Sequence, residues 1–336
     1  MKRFLSANSF VLSIFCVVLL AGLLPELGGP GSPLPIRTLR SIGLFLIFFN
    51  QGVQLPGEEL RRGLVNWRLH LLVQSAVYLV FPLLTILLLH LGGDLLEQPD
   101  LRRGFLYLSF VPTTITSAVA LTGMAGGAVS GALFNCTLSA VLGVFITPAL
   151  SVAFLGAGES EGAVTLAETL LGVATTILLP LGLGQAARHW LSAFYQRHKG
   201  FFKRLNSGII LYIIWVAFCQ SFLRDTWSQV PPASLLLTFA GVILLMLTMS
   251  AGIWAVSGWA GFPKPVRIAA FFSGSQKTLA MGLPLSALIF PPDMELSLIL
   301  LPLLIYHPAQ LILGGWMIPR FQRDADSSGA ASSRKS

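Results

Sequence analysis

The sequence predicts an all-α integral membrane protein with ten transmembrane helices in a five-plus-five inverted repeat. Three observations predict this class. Hydrophobic residues make up 54% of the 336 residues and charged residues only 11%, whereas a soluble domain carries about 25% charged residues. Apolar runs long enough to cross about 30 Å of hydrocarbon recur along the whole chain. Lysine and arginine are also concentrated in every second loop, as they are in a multi-pass membrane protein.

The apolar runs are separated by Gly, Pro and charged residues, which break helices. They are predicted at 8–24, 38–55, 69–91, 104–123, 127–155, 164–187, 206–223, 233–257, 267–290 and 296–318. The first run is predicted to be an uncleaved span, because no small-residue cleavage site follows it. We expect one polytopic domain over 1–320, with repeats at about 8–155 and 164–318. The Ser/Ala/Arg-rich segment 321–336 is predicted to be a disordered cytoplasmic tail.

Loop charge predicts the orientation of the chain. Ten spans place sixteen of the 22 lysines and arginines on one side and five on the other, with Lys277 inside span 9. Cytoplasmic loops are enriched in Lys and Arg, so we expect both termini inside a plasma membrane, or an inner membrane in a bacterium. The net charge of +8 follows from this bias and predicts no nucleic-acid partner. The basic loop 188–204 is interpreted as a topology determinant, with contact to anionic lipid as the less favoured alternative.

Spans 4 and 9 are the most polar and most interrupted segments of the two halves. Span 4 contains VPTTITSAV at 111–119, and span 9 contains FSGSQKTLAMGLP at 272–284. Five spans per half require the halves to enter the membrane in opposite orientation. Paired broken helices in such repeats point to a site near the membrane midplane and are typical of secondary transporters. The alternative is that Pro and Gly only kink these helices, with Ser and Thr bonded to carbonyls.

The stretch 300–310 (LLPLLIYHPAQ), span 9 and Asn135 within 133–135 resemble the bile acid:sodium symporter superfamily. Within it the resemblance is to the branch of sodium/bile acid cotransporter 7 and its bacterial relatives, and it covers nearly the whole chain. It implies a panel domain of spans 1, 2, 6 and 7 and a core domain of spans 3–5 and 8–10. It also implies that broken helices 4 and 9 cross inside the core.

The sequence departs from the sodium-coupled members of that superfamily. Those members hold sodium with an acidic residue and a Gln-Asn pair on helix 9. Alignment on Gln276 places Phe272 at the acidic position and Lys277 at the asparagine. Ser117, Asn135 and Gln276 remain as matching polar positions. The resemblance therefore implies that the two sodium sites of the family cannot be assembled in this chain.

Lys277 is the only Lys or Arg predicted within a span and away from its ends. A lysine at the centre of a span costs about 2.5–3.5 kcal/mol on insertion scales, so it indicates function. One interpretation is a tethered cation in the space that sodium fills elsewhere, surrounded by hydroxyl and carbonyl oxygens. A second is a clamp on an anionic substrate. Snorkelling to an interface is disfavoured, because Lys277 lies about ten residues from either end of its span.

Other polar residues of the core spans complete the predicted site. His307 is interpreted equally as a proton site or cavity wall and as a packed histidine bonded to a carbonyl freed by Pro308. Gln310 lies one turn on and shares its helix face. Asn135 is interpreted as a residue that bonds across helices. The predicted substrate- or ion-binding residues are Gln74, Thr116, Ser117, Asn135, Ser273, Gln276, Lys277, Thr278, His307 and Gln310.

These patterns predict a secondary active transporter of an organic anion that works by alternating access. The anion is expected to resemble a bile acid or steroid conjugate, or to be another small carboxylate or sulfate. No metalloprotease, P-loop or dinucleotide motif is present, so no enzyme activity is predicted.

No cofactor or metal site is predicted; sodium is left open and a proton is an alternative coupling ion. Expected partners are membrane lipid and the anion, with a homodimer left open. The rival hypothesis is a non-transporting membrane regulator of ion homeostasis, for example of calcium. A through-path, that is, a polar crevice between core and panel that reaches Gln276 and Lys277, would favour transport, and a tightly packed apolar interface there would favour the regulator.

Overall fold

The computed structural model describes residues 9–54, 66–93, 98–155, 166–291 and 294–332. Side chains are described over the slightly narrower set 10–54, 66–93, 98–155, 175–291 and 294–323. Part of the charge that carries the predicted orientation lies outside the described residues. These charged residues are Lys2, Arg3, Arg61, Arg62, Asp94, Glu97, Glu159, Glu161, Asp293, Arg334 and Lys335. The orientation therefore stays a prediction.

The described residues form helices and contain no strand. In chain order the helices are α1 (Ser9–Leu23), α2 (Ile36–Gln54), α3 (Trp67–Ser75), α4 (Phe81–Leu91), α5 (Pro99–Phe110), α6 (Ile115–Met124), α7 (Val129–Leu155), α8 (Leu166–Arg197), α9 (Lys199–Leu223), α10 (Pro232–Trp259), α11 (Lys264–Ser275), α12 (Leu279–Ile289) and α13 (Leu296–Ser332). A π-helical turn, Ala76–Val80, joins α3 to α4. Each predicted apolar run overlaps one or two of these helices.

Among the described residues, five helices are long and apolar enough to cross a membrane, or six when one bent pair is counted as a span. They are Trp67–Leu91, Val129–Leu155, Lys199–Leu223, Pro232–Trp259 and Leu296–Arg323, with the pair Pro99–Phe110 and Ile115–Met124 bent by 59°. The protein is a multi-pass membrane protein. The count of ten spans stays a prediction.

The basic segment 188–204 was expected to be a loop, and that expectation is wrong. Helix α8 continues to Arg197 and α9 begins at Lys199. The segment keeps aromatic residues that pack the two helices together, and the rings of Tyr195 and Phe202 stack with their centroids 3.7 Å apart. Helices can therefore extend beyond the apolar run that hydropathy detects. Helix α13 likewise runs into the segment 321–336, and the predicted disorder of that tail stays a prediction because side chains beyond residue 323 lie outside the described set.

The helices pack in two groups. Helix α9 contacts α1, α2 and α8, and these four are called the four-helix group here; α3–α7 and α10–α13 form the broken-helix group, which α9 also contacts through α12 and α13. Within the four-helix group, α2 and α8 meet backbone to backbone. A Cβ on Gly52 would lie 2.1 Å from the carbonyl oxygen of Leu181, and one on Gly184 would lie 2.1 Å from that of Phe49. Only glycine permits this approach.

The π-helical turn Ala76–Val80 lies just before Pro82 in an otherwise continuous helix, Trp67–Leu91. Proline has no N–H to donate to the carbonyl of the preceding turn, so the regular ladder is interrupted here. Single π turns are frequent at functional sites, because they aim a backbone group away from the helix. The carbonyl of Val77 in this turn accepts a hydrogen bond from a distant side chain, Lys277.

Candidate functional site

Two helix breaks cross at the centre of the broken-helix group. The backbone is extended at 111–114, between α5 and α6, and at 276–278, between α11 and α12. The Thr278 N–H donates to the carbonyl of Pro112 across 3.0 Å, which ties the two extended segments together. A broken helix frees backbone groups that lipid cannot satisfy, so protein groups must pair with them.

Lys277 supplies the donors for one of these broken ends. Its side chain is fully buried, and its ammonium donates to the carbonyls of Ser109 and Val111 at 2.8 Å each and to that of Val77 at 3.3 Å. Phe81 places its ring centroid 4.2 Å from the Nζ atom. An ammonium has three hydrogens to donate, so the three carbonyls satisfy it. The Ser109 and Val111 carbonyls lie at the C-terminal end of α5, where the helix dipole favours a cation.

Gln310 of α13 holds the backbone of Lys277 in place. Its Oε1 accepts from the Lys277 N–H at 2.7 Å, and its Nε2 donates to the Lys277 carbonyl at 2.9 Å. Nε2 also donates to Nδ1 of His307 at 2.9 Å, and that Nδ1 lies 3.5 Å from the Lys277 carbonyl. Because Gln310 donates, His307 accepts at Nδ1 and carries its proton on Nε2. These three predicted residues therefore form one connected network.

Ser117 and Gln276 meet at the same crossing. The Ser117 hydroxyl donates to Oε1 of Gln276 at 2.7 Å. Two nearby buried atoms, Nε2 of Gln276 and Oγ of Ser273, have no hydrogen-bond partner among the described residues. Buried polar groups are nearly always paired in folded proteins, so these two atoms are exceptions at the crossing.

Gln74 and Asn135 form a separate contact between α3 and α7. Nε2 of Gln74 donates to the Asn135 backbone carbonyl at 3.1 Å and lies 3.4 Å from its Oδ1. Nδ1 of His70 lies 3.2 Å from the same Oδ1. Sequence reasoning missed His70, although it precedes Gln74 by one helical turn on the same face.

Phe272, which the resemblance aligns with an acidic residue of the sodium-coupled members, lies in an aromatic cluster. It is 1% exposed, and its ring centroid is 5.1 Å from that of Phe271 and 6.0 Å from that of Phe321. No carboxylate lies at this position, and the only ion pairs among the described residues are Arg103–Asp100 and Arg224–Glu295. Lys277 therefore pairs with carbonyls and not with an acid.

A cavity of about 290 Å³ lies on the other side of the crossing, between the two helix groups. It is called the crevice here. Its lining from the broken-helix group includes Thr116 at the start of α6 and Thr278 at the start of α12. Its polar lining from the four-helix group consists of carboxamides, Gln51, Gln54 and Asn206, and none of the lining residues in the described part of the chain is charged.

Only two of the ten predicted binding residues line the crevice. Thr116 and Thr278 line it; Lys277, Gln276, Ser117, Ser273, His307, Gln310, Gln74 and Asn135 do not. Sequence reasoning missed the three carboxamides Gln51, Gln54 and Asn206. The available signal was their position at the polar ends of apolar runs, which does not distinguish a cavity wall from an interface.

Comparison with known proteins agrees with this architecture. The family model of the SBF-like CPA transporter family matches residues 8–323. An uncharacterized protein of Pseudomonas aeruginosa is 33% identical over 331 residues, which cover 98% of this chain and 97% of that protein. Sodium/bile acid cotransporter 7 of Xenopus tropicalis is 33% identical over 316 residues, covering 92% and 90%. The protein of the same name from Danio rerio is 33% identical over 313 residues, covering 92% of each chain. The chain therefore belongs to the SBF-like CPA transporter family.

Proposed function

We propose that the protein carries a small organic anion across the membrane by alternating access, with the anion bound in the crevice. In this proposal the chain has ten spans in two inverted halves, the four-helix group is the panel, and the broken-helix group is the core. Movement of one group against the other would open the crevice to each side in turn. Membership of a transporter family supports transport, and the crevice between the two groups supports its location.

The observation that carries the proposal is that two helices begin at the crevice. Thr116 lies in the first turn of α6, and Thr278 is the N-cap of α12. Helix N-termini present free N–H groups and the positive end of the dipole, so they favour an anion. The threonine hydroxyls add donors, and the lining residues that the structure describes include no carboxylate. The polar groups of that described lining are hydroxyls and carboxamides, which favour a small monoanion that also carries neutral polar groups.

The same proposal gives the crevice a direction. Gln54 ends α2, and Asn206 lies in the second turn of α9. With both termini inside, these two helix ends face the cytoplasm. The crevice would then be open inward, in the state that loads or releases the anion on the cytoplasmic side.

Lys277 is proposed to replace the coupling cation. Its ammonium lies among three backbone carbonyls, the kind of oxygen ligand that sodium uses, and carries the same charge on a covalent tether. A direct clamp on the substrate is disfavoured, because all three hydrogens are used and Nζ does not line the crevice. The proposal therefore includes transport without the two sodium sites.

A proton is the remaining candidate for coupling, through His307. Protonation at Nδ1 would turn an acceptor into a donor and expel the Nε2 of Gln310. The new N–H could then compete with Gln310 for the Lys277 carbonyl, which lies 3.5 Å from Nδ1. The network around Lys277 would thus have two arrangements that differ by one proton.

The proposal is tested with purified protein and a panel of organic anions, read by thermal stabilisation and by uptake into proteoliposomes. Thr116→Val keeps the shape of the crevice wall and removes one donor. A hydrogen bond to a charged group contributes about 1.5–3 kcal/mol, so we expect about 10–100-fold weaker binding of the anion.

Thr122→Val is the matched control. Thr122 lies on the same helix, is fully buried, and donates to the Ala118 carbonyl away from the crevice. Equal affinity loss in both variants would show that the hydroxyl at the crevice has no specific role. Failure of every anion to stabilise the protein or to be taken up would favour the non-transporting regulator.

A further inference from the structure

A second cavity, of about 670 Å³, lies between α1, α10 and α13 and shares no residue with the crevice. It is called the groove here. Its lining is apolar throughout, with Phe15 from α1, Ile243 from α10, and Ile305, Ile312 and Trp316 from α13 as representatives. Phe15 is 63% exposed and Ile312 is 74% exposed. The groove is thus a concave, open, apolar surface in a membrane protein.

Two arginines extend the groove along its own helix. Ile305, Ile312 and Trp316 follow one face of α13, and the same spacing of three and four residues continues to Arg320 and Arg323. Arg320 lies 3.1 Å from the ring centroid of Trp316 and donates to its backbone carbonyl at 2.9 Å. Both arginines are exposed and form no ion pair with the side chains described up to residue 323; the acidic residues Asp324 and Asp326 follow in the sequence.

The groove is longer than the hydrocarbon of one membrane leaflet, so it can hold an acyl chain of that leaflet. From Leu301 to Trp316 the lining of α13 rises about 22 Å at about 1.5 Å per residue, longer than the roughly 15 Å of hydrocarbon in one leaflet. Arg320 lies one turn further, about 6 Å beyond Trp316, which is the depth of the headgroup region. Tryptophan is enriched at that boundary, where its ring meets both hydrocarbon and polar headgroups.

We propose that the groove binds one anionic glycerophospholipid, with an acyl chain along the apolar lining and the phosphate on Arg320 and Arg323. Charge complementarity at the groove's end selects this occupant over a neutral lipid or an apolar peptide. Basic pockets between transmembrane helices on the cytoplasmic side bind such headgroups. Because α1 belongs to the four-helix group and α13 to the broken-helix group, the lipid contacts both groups at once.

Native mass spectrometry of the detergent-purified protein tests this directly, with dioleoyl phosphatidylglycerol and dioleoyl phosphatidylcholine as probes. We expect one phosphatidylglycerol to bind more tightly than phosphatidylcholine. Each basic residue near the headgroups contributes about fivefold to affinity. Arg320→Gln should therefore weaken binding about fivefold, and the double variant Arg320→Gln with Arg323→Gln about 25-fold.

Arg68→Gln is the matched control. Arg68 is exposed, lies 5.4 Å from the Phe262 ring centroid, and donates to the Ala260 carbonyl, and it belongs to α3, which does not line the groove. Its replacement should leave phosphatidylglycerol affinity unchanged. An equal loss in Arg68→Gln would overturn the proposal in favour of unspecific attraction to charge.

The apolar half of the site is tested by Ala309→Phe, which fills the groove, and by Ile312→Ser, which keeps it open but makes its wall polar. Both should weaken binding of phosphatidylglycerol while the protein stays monodisperse. Full retention in either monodisperse variant would place the acyl chain elsewhere. Equal binding of the two lipids would remove the role of the arginines, and a dimer that Ala309→Phe dissociates would identify a second copy as the occupant.

Discussion

The two helix breaks have similar backbone shapes, but different groups satisfy their C-terminal helix ends. At the end of α5, the Lys277 ammonium donates hydrogen bonds to the carbonyls of Ser109 and Val111. At the end of α11, the neutral hydroxyl of Tyr306 donates to the Ser275 carbonyl at 2.5 Å. A charged donor thus serves one break and a neutral donor serves the other. Lys277 itself belongs to the α11–α12 break, so its charged side chain reaches from one break to the helix end at the other.

This difference indicates what each side of the crossing does. The C-terminal helix ends lie in the buried interior of the broken-helix group, where protein groups satisfy them. The N-terminal ends of α6 and α12 face the crevice, whose described lining contains no charged side chain. One crossing can therefore hold a fixed cation on one side and leave an anion site open on the other, as the opposite dipole ends of broken helices favour.

The largest expected effect comes from Lys277→Met. Methionine keeps most of the volume but leaves three buried carbonyls without their donor, and each unsatisfied group costs about 1–3 kcal/mol. We expect uptake of the anion to be abolished and the melting temperature to fall. Lys264→Met is the control, because Lys264 begins the same helix α11 and its Nζ has no hydrogen-bond partner among the described residues. Wild-type uptake by Lys277→Met would show that the charge is incidental.

Gln310→Leu should have the next largest effect, because it releases the N–H and the carbonyl of Lys277 together. The loss in the free energy of unfolding is expected to be about 2–4 kcal/mol, measured by denaturant or thermal unfolding in detergent. Gln322→Leu is the control on the same helix, since Gln322 makes one exposed bond to the Met124 carbonyl. If both variants lose the same free energy of unfolding, the hydrogen bonds from Gln310 to the backbone of Lys277 stabilise the protein no more than a surface hydrogen bond does.

Tyr306→Phe tests the C-terminal end of α11, which a neutral hydroxyl satisfies, and should have a smaller effect. It removes one donor from the Ser275 carbonyl, at an expected cost of about 1–3 kcal/mol in unfolding free energy. Uptake should persist, because no charge is lost. Tyr212→Phe, which loses a 3.3 Å bond to the Ile36 carbonyl in the four-helix group, is the control. Loss of uptake in Tyr306→Phe as complete as in Lys277→Met would erase the distinction between the two breaks.

The sequence predicts the parts of this arrangement that depend on local residue type. Apolar runs locate the helices, and the Pro- and Ser-rich interruptions locate both breaks. The depth of Lys277 in an apolar run singles it out. Which carbonyls its ammonium bonds to could not be predicted, because Val77 and Ser109 lie 200 and 168 residues away along the chain and are brought near only by packing.

The crevice could not be predicted for a related reason. A cavity is defined by where two groups of helices fail to meet, which hydropathy does not encode. Gln51 and Asn206 line it only because α2 and α9 lie opposite the crossing. Extension of α8 through the basic segment was also missed, since a charge-rich sequence reads as a loop although it can remain helical outside the hydrocarbon.

The smallest expected effect is that of sodium, which should be none beyond ionic strength. A ligand that binds the folded state stabilises it by RT ln(1 + [L]/Kd), about 2.7 kcal/mol at one hundred times Kd. Phe272, which the resemblance aligns with the acidic residue of the sodium-coupled members, packs between aromatic rings, and the Lys277 ammonium already binds the carbonyls at the break. Melting curves in sodium and potassium chloride at equal concentration should therefore coincide.

Lys277→Asn alone should also show no difference between sodium and potassium, because no carboxylate is restored. Phe272→Glu combined with Lys277→Asn supplies both missing groups and should create a sodium-dependent shift. A saturable shift of the unmodified protein in sodium but not in potassium would mean that a cation site exists beside the tethered ammonium, and the replacement of sodium by Lys277 would have to be abandoned.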